Sequence, residues 1–575
     1  MLCTIVLLGL IVSLAAFVSS QLVNSASVIP NAAPEVIPAL REWQGSTGSF
    51  TMVSTSSIIV DPSYAAQLDD TARVFQADLF EVTGRTLPVI NTSPPAPGDF
   101  FLTLSNSDRG IGDEGYLFKV GDAVVISANT SKGVFYGTRT ALQILVQDSA
   151  HMHIVKGTAR DYPAYKERGF LLDVGRKFFS LQLLEDYVKF MSWYKMNDFQ
   201  LHFNDNEIDA GMSQDWMHKY AAFRLNSSRF PGLAAKDGSY TRQDMRELQS
   251  IAQAYAVTIT PEIDAPAHAL AFTQYRPDLA NQKYSKEFLD LENPNTYTFL
   301  NAIWNEFLSW FDTTQVHIGA DEYSQDDANN YRQFIKKYDD YLGQRGKSIR
   351  VWGSLSEMKS AVKVNSDIVM DVWDNRWANA VDLVNQGYHI INTNDQLLYI
   401  VPKAGYFHDY LDTRLLYEKW EPNIFDFSNQ RLNLKPGDPN LSGGMFAEWN
   451  DKLGSVVSDA DVYERVKPAM QTLGDKMWSG TTAGMPYEQF QQLAQRIGEA
   501  PGTHLLQTLS SQADTSAYVP PEKPGGTRSF QSASPGMIGS AITPKYSLHH
   551  SAAALKPRSQ RVKAEEARPT TLIEQ

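Results

Sequence analysis

The segment VHIGADEY, residues 316–323, places two carboxylates side by side at Asp321 and Glu322. Carboxylic acids suit general acid–base chemistry, and most glycosidases use a pair of them on opposite sides of a sugar bond. Neighbouring residues on a strand point to opposite faces, so a regular strand would separate these two groups. The segment therefore indicates either an irregular strand end that serves one substrate or an acidic helix N-cap.

Further polar and aromatic side chains recur at the ends of strand-like segments along residues 165–500. Aromatic rings stack on the C–H faces of sugars, and carboxylates and arginine bind hydroxyls. Taken singly, a tryptophan or histidine here is often plain core, and Arg168 is more simply the buried ion-pair partner of Asp173. The recurrence favours a carbohydrate pocket. The candidates are Asp173, Arg176, His202, Asp205, Asp264, His268, Asp321, Glu322, Trp352, Trp373, Tyr399, Trp449 and Asp451.

The elements that must position these side chains follow a strand–helix rhythm. Eight short apolar segments, most of them separated by helical ones, predict an α/β fold with a (β/α)₈ TIM barrel. The active site of such a barrel is built from the C-terminal ends of its strands, where the candidates lie. The segments are GFLLDVG, DFQLHFND, VTITPEID, VHIGADE, RVWGS, IVMDVWD, YHIINTN and GGMFAEWN.

The rest of the chain divides around this barrel. Residues 1–20 are predicted to be a secretory signal peptide, with an uncleaved anchor as the alternative because the basic start is missing. Residues 30–162 alternate short apolar runs with helical stretches, which predicts a small α/β domain before the barrel at 163–504. Residues 505–575 are rich in Ser, Pro, Gly, Ala and Lys, which predicts a mostly disordered tail.

Composition narrows the class of partner. A net charge of −14 over 575 residues argues against nucleic acid. Cys3, in the leader, is the only cysteine, so the mature chain would have no disulfide. Sequons at Asn91, Asn129, Asn226 and Asn440 are compatible with glycosylation in a secretory route. We expect an extracellular protein with no membrane span after signal cleavage, no cofactor and no metal.

Four motifs, in order and spacing, resemble those of glycoside hydrolase family 20, the β-N-acetylhexosaminidases. They are ERGFLLDVGRKFFS, LHFND, EIDAPAHALA and HIGADEY. The segments DEGYLFKV and GVFYGTRTALQIL are similar to the α/β domain that precedes the family's barrel, so the resemblance covers about residues 35–500. HIGADEY and LLYIVP look more like the dispersin B and lacto-N-biosidase branch than like lysosomal hexosaminidases.

The resemblance implies a role for two adjacent carboxylates. In this family the substrate's own 2-acetamido oxygen attacks the anomeric carbon, so no carboxylate nucleophile is needed. Glu322 would protonate the leaving oxygen and then activate water, and Asp321 would stabilise the positive charge that develops on the acetamido group. Tyr399 would hydrogen-bond the acetamido carbonyl.

Substrate-binding roles carry over by position. Arg176 and Asp205 would hold O3 and O4, and Asp451 would bind O4 or O6. His268 would support the acid/base region. The aromatic walls would be Trp352, Trp373 and Trp449.

Two positions depart from the family pattern. Ala320 stands where a second glycine is usual, a mild change if its backbone is ordinary. Val401 stands where many members have a hydroxyl-binding Asp. The resemblance implies an exo-β-N-acetylhexosaminidase acting on N-acetylhexosamine-terminated glycans or chitin oligosaccharides. A hydrolase that releases a disaccharide, like a lacto-N-biosidase, and an inactive carbohydrate-binding relative are the alternatives.

Overall fold

A computed structural model describes residues 29–92, 94–452, 457–480 and 484–512, with side chains to residue 509. The predicted signal peptide and residues 513–575 of the predicted tail lie outside these residues. Within the described part, every helix is too short or too polar to cross a membrane.

The N-terminal part is a mixed sheet with two helices. The strands run in the order β1, β7, β5, β6, β4, β2, β3, and pairs involving β1, β5 or β7 are antiparallel. Their bounds are β1 Glu42–Thr51, β2 Ile58–Val60, β3 Val89–Asn91, β4 Phe100–Thr103, β5 Tyr116–Val120, β6 Val124–Ala128 and β7 His153–Asp161. Helices α1 (Ala65–Thr83) and α2 (Ser131–Gln147) pack against the sheet and each other.

Eight parallel strands close into the predicted barrel, so the predicted fold class is confirmed. The order is β8, β9, β12, β13, β14, β15, β16, β18, and β18 pairs with both β16 and β8. Their bounds are β8 Glu167–Asp173, β9 Asp198–His202, β12 Thr258–Ala265, β13 Gln315–Gly319, β14 Ser348–Trp352, β15 Val369–Val372, β16 His389–Asn392 and β18 Leu441–Glu448. Three short strands lie beside the barrel: β10 Asn204–Asn206, β11 Ala221–Phe223 and β17 Tyr399–Ile400.

Helices follow most of the barrel strands. They are α3 Leu181–Trp193, α4 Arg242–Ala254, α5 Leu270–Tyr275, α6 Pro294–Phe307, α7 Ala328–Gly343, α8 Ala380–Asn385, α9 Asp395–Leu398, α10 Thr413–Lys419, α11 Asp459–Ser479, α12 Tyr487–Ile497 and α13 His504–Gln512. Strands covered on both faces read as continuous apolar runs. Phe170 on β8 shows the result, because its ring stacks on Phe199 at 5.4 Å and Phe446 at 4.7 Å.

The two domains share buried charges. Asp161, the last residue of β7, accepts from the ammonium of Lys195 at 2.9 Å and from the indole of Trp478 at 3.0 Å. Arg168 pairs with Glu114 of the small domain at 2.7 Å. The predicted ion pair between Arg168 and Asp173 is not observed. Lys195, Asp161 and Arg168 are fully or almost fully buried.

Helix α13 reaches Gln512, past the predicted start of the tail at residue 505. Leu506 is fully buried, and the backbone N–H groups of Leu505 and Leu506 donate to Asp186 on α3 at 3.0 and 3.2 Å. The apolar pair was too short to show a helical period in the sequence.

Candidate active site

The end of β13 is an irregular turn, which decides how the two adjacent carboxylates are presented. Gly319, Ala320 and Glu322 all have left-handed backbone, with φ of 72°, 66° and 43°. A Cβ on Gly319 would lie 1.6 Å from an oxygen of Asp264, so only glycine fits there. Asp321 and Glu322 belong to no helix N-cap. The change from glycine to Ala320 would be mild only with an ordinary backbone, and the left-handed φ of 66° means that alanine carries strain there.

A hydrogen-bonded chain connects the carboxylate pair to a buried acid. His268 Nδ1 lies 3.0 Å from Asp205 Oδ1, and His268 Nε2 lies 3.2 Å from Glu322 Oε2 and 3.6 Å from Asp321 Oδ2. One imidazole thus contacts both neighbouring carboxylates, so both serve the same side of the pocket. Burial alone would lower the pKa of His268, but Asp205 and Asp321 raise it well above its usual value.

The pKa values of Asp205 and Asp321, the carboxyls on either side of His268, are shifted in opposite directions. Burial would raise the pKa of Asp205, yet Arg176 and His268 hold it well below its usual range. Burial, with Glu322 and Glu262 acting in the same direction, raises the pKa of Asp321 to about 6, although His268 opposes the shift. Asp205 is therefore a fixed anion, whereas Asp321 changes its charge near neutral pH.

Arg176, just after the end of β8, contacts three carboxylates. Its guanidinium lies 2.8 Å from Asp205, 3.1 Å from Asp173 and 3.5 Å from Asp451. The side chain is 5% exposed, and these carboxylates raise its pKa although burial opposes them. Asp451 also accepts from the Tyr406 hydroxyl at 2.7 Å. The predicted Arg176, Asp205 and Asp451 set is thus in contact.

A second charge network lies deeper, inside the barrel. Glu262 lies 3.0 Å from His202 Nδ1 and 3.3 Å from His317 Nδ1, and it accepts from the Trp352 indole at 2.7 Å. His202 Nε2 in turn contacts Asp205 at 2.8 Å. Trp352 is 1% exposed, so it supports the site from below more than it forms a wall.

The other predicted aromatic residues meet beside the carboxylates. Trp449 lies with its ring centroid 5.6 Å from Tyr399 and 5.8 Å from Trp352. The indole nitrogens of Trp449 and Trp373 are buried without a hydrogen-bond partner. Burial, with nearby Asp395, Asp321 and Glu322, raises the pKa of Tyr399 well above its usual value, so its hydroxyl stays a donor.

Among the residues that the structure describes, two groups of side chains are close enough to hold a metal ion. They are His202, Glu262 and Asp264, and Asp264, His268 and Asp321, with ligand atoms within 4.8 Å. The histidines in both groups already contact carboxylates that raise their pKa values, and a protonated imidazole does not bind a metal. Burial and Asp321 raise the pKa of Asp264 well above its usual range, which makes this carboxyl a poor ligand for a cation.

Several site residues were not predicted. Glu262 lies two positions before Asp264 on β12, and the two-residue period of a strand places both on one face, so the pattern could have revealed it. Tyr406, Trp377 and Glu287 come from loops, where the sequence has no comparable signal. Val401, next to β17, is 1% exposed, and its aliphatic side chain offers no hydroxyl ligand.

Both domains match one family in known proteins. Residues 165–481 match the glycosyl hydrolase family 20 catalytic domain, and residues 33–162 match domain 2 of the same family. A lacto-N-biosidase of Bifidobacterium bifidum is 25% identical over 474 residues, which cover 78% of this chain and 40% of that protein. A beta-hexosaminidase of Emericella nidulans is 26% identical over 385 residues, which cover 59% of each.

Solved structures share the fold. The family 20 beta-N-acetylhexosaminidase of Streptomyces coelicolor superposes with a TM-score of 0.67 at 21% identity, over 82% of this chain and 97% of that one. A mutant Streptomyces plicatus beta-hexosaminidase in complex with its product GlcNAc gives a TM-score of 0.68 at 21% identity, over 83% and 97%. With its barrel and its preceding domain both matched, the chain belongs to glycosyl hydrolase family 20.

Proposed function

We propose that this chain is an exo-β-N-acetylhexosaminidase that removes terminal β-linked GlcNAc or GalNAc by substrate-assisted, retaining hydrolysis. One observation carries the proposal: His268 contacts both Asp321 and Glu322, so the adjacent carboxylates converge on one side of the pocket. Such a pair cannot flank an anomeric carbon from opposite faces, as an acid and a protein nucleophile must. The substrate then supplies the nucleophile, through its 2-acetamido oxygen.

Each contact supports a step of this reaction. Glu322, held by His268, donates its proton to the leaving glycosidic oxygen as the acetamido oxygen closes on C1. Asp321, ionised above about pH 6, stabilises the positive charge that spreads onto the acetamido nitrogen. Tyr399 donates its hydroxyl to the acetamido carbonyl. Glu322 then takes a proton from water, which opens the intermediate with retention.

The Arg176 cluster supports release of one sugar at a time. A guanidinium fixed by Asp173, Asp205 and Asp451 is positioned to hold O3 and O4 of the terminal residue. A sugar attached at those hydroxyls would compete with these contacts. The similarity to a lacto-N-biosidase keeps disaccharide release as the second candidate. The chain spans 40% of the length of the lacto-N-biosidase and 59% of the length of the beta-hexosaminidase. The substrates of those whole proteins are therefore not assigned to this chain.

The proposal also covers where the protein acts, which is outside the cell, and on which glycans. The apolar leader supports secretion, where N-acetylhexosamine-terminated glycans and chitin oligosaccharides are available. Asn226 is exposed, which suits glycosylation, whereas the amide of Asn129 is engaged by the carbonyls of Asp108 and Gly112. Secretion is measured by expressing the full-length chain in a eukaryotic host and recovering the protein without its signal peptide from the medium, and retention in cell membranes would contradict the proposal.

The test compares substrates that differ in the acetamido group. An aryl β-GlcNAc glycoside should be cleaved, the matching β-glucoside should be inert, and a thiazoline analogue of the intermediate should inhibit strongly. Asp321→Asn should cost several orders of magnitude, and Glu322→Gln should lose more on poor leaving groups than on aryl ones. Comparable turnover of the two glycosides refutes substrate assistance.

The products of natural oligosaccharides decide between release of one sugar and release of two. Chitotriose should yield monosaccharide, and a Gal-β1,3-GlcNAc-terminated glycan should yield nothing. Intact disaccharide from that glycan would establish the second candidate.

A further inference from the structure

The turn that presents the catalytic pair has a strained backbone. Of its three residues with left-handed φ, only Gly319 is a glycine, whereas Ala320 and Glu322 carry side chains at φ of 66° and 43°. A Cβ disfavours this region, so such a conformation persists only where the surrounding structure fixes it. The contacts that fix the turn therefore decide where Asp321 and Glu322 point.

Two backbone N–H groups at the start of the turn bond to the barrel. Gly319 N–H donates to Nδ1 of His317 at 3.1 Å. Ala320 N–H donates to the carbonyl of Ala265, the last residue of β12, at 3.0 Å. Neither bond involves the peptide unit that joins Ala320 to Asp321. The orientation of that unit depends on the partner of the Ala320 carbonyl oxygen.

Tyr331 supplies this partner from helix α7, on the outside of the barrel. It is fully buried, and its hydroxyl donates to the Ala320 carbonyl oxygen at 2.5 Å. Burial raises the pKa of Tyr331, and Asp321 acts in the same direction, so the hydroxyl stays a donor. The hydroxyl of Ser354 also faces this oxygen, but at 3.5 Å it is too far for a strong bond. Tyr331 is thus the main donor to the peptide that leads into Asp321.

We propose that Tyr331 is a positioning residue for the catalytic pair, because its hydroxyl fixes the Ala320–Asp321 peptide and with it the directions of Asp321 and Glu322. Tyr331 acts through the backbone, since it is closed to solvent and does not line the cavity beside Glu322. Misplacing a reacting group by about 1 Å can cost about a hundredfold in rate. This inference rests on the proposed function, in which both carboxylates act on one sugar.

The test is Tyr331→Phe, which removes the hydroxyl and keeps the buried ring, so that the variant is expected to fold. The matched control is Tyr338→Phe on the same helix. Tyr338 is 1% exposed, and its hydroxyl has no hydrogen-bond partner in the part of the chain that the structure describes. Both variants are compared with the wild type on an aryl β-GlcNAc glycoside and with the thiazoline inhibitor.

The expected result is a loss in turnover with little change in substrate binding. Tyr331→Phe should lower kcat about tenfold to a hundredfold and change KM by less than about threefold. The inhibition constant of the thiazoline, which mimics the intermediate, should rise by about the same factor as kcat/KM falls. Tyr338→Phe should leave all three constants within about twofold of the wild type.

Two readouts distinguish positioning from a merely structural role. A hydroxyl that only stabilised the fold would change the melting temperature or the fraction of active enzyme, and the inhibition constant depends on neither. Amide hydrogen exchange of residues 319–323 gives a measure that needs no turnover. It should become faster in Tyr331→Phe and stay unchanged in Tyr338→Phe, because only the first variant loosens the turn.

The outcomes separate this inference from the proposed function. An aryl β-GlcNAc glycoside that the wild type does not cleave refutes the function, and the inference with it. If the wild type is active, unchanged kcat and thiazoline inhibition in Tyr331→Phe overturn only the positioning role. A lower kcat with an unchanged inhibition constant, or an equal loss in Tyr338→Phe, also overturns it.

Discussion

Replacing His268 by glutamine should move the acid side of the pH–activity profile to higher pH. Asp321 must be ionised to stabilise the acetamido-derived cation, so kcat/KM should fall as pH drops below its pKa of about 6. The protonated imidazole of His268 lies 3.6 Å from Asp321 and lowers that pKa. Glutamine removes the charge while retaining polar atoms, so the pKa of Asp321 should rise.

The structure sets an upper limit on the shift. Two unit charges 3.6 Å apart interact by about 4–5 kcal/mol at an effective dielectric constant of about 20, equivalent to about three pH units. Water entering the vacated space will screen part of this. We therefore expect a shift of at least about one unit.

The assay is kcat/KM against pH on an aryl β-GlcNAc glycoside, whose good leaving group makes little demand on the acid Glu322. His218→Gln is the matched control, because that histidine is 78% exposed and pairs only with Asp215 among the described charged residues. Its profile should equal that of the wild type. An acid limb in His268→Gln that stays in place, or moves to lower pH, would refute two assignments. It would show that Asp321 does not produce this limb or that His268 does not lower the pKa of Asp321.

Three further changes test other parts of the site and fold. Asp451→Ala should reduce kcat/KM about tenfold to a hundredfold by leaving a substrate hydroxyl unpaired, and Tyr406→Phe, which keeps the carboxylate, should cost less; equal losses would contradict direct binding by Asp451. Ala320→Gly should raise the free energy of unfolding by about 1 kcal/mol in denaturant titrations, since glycine relieves the left-handed strain at φ 66°, and a decrease would contradict that strain. Truncation after residue 512 should leave activity and melting temperature intact, whereas truncation after 503 removes the buried Leu506 and should lower the melting temperature; equal effects would show that the tail also packs.

Short apolar segments, most of them separated by helical ones, made the barrel predictable. The alternation of strand and helix was visible in the sequence although several strands also contain buried polar residues, so all eight barrel strands were anticipated. The gathering of Arg176, Asp205, His268 and the carboxylate pair follows from the same rule, since parallel strands end at one rim.

Loop geometry and depth within the barrel were not predictable in this way. Glu287 and Tyr406 lie on loops whose course depends on long-range packing and not on a local period. Trp352 was expected as a wall, but its position inside the barrel, with its indole bonded to Glu262, depends on side chains from several strands. The left-handed turn at Ala320 has no sequence sign, because alanine normally avoids it.

The ion pairs between the two domains bear on whether the barrel can be produced without the small domain. Asp161 of the small domain compensates Lys195 at a buried position, and the partly exposed Glu114 compensates the buried Arg168. A barrel produced without the small domain would lose the carboxylates that pair with Lys195 and Arg168 and would expose the apolar surface around them to water. The barrel and the small domain are therefore expected to be stable only when they are produced together.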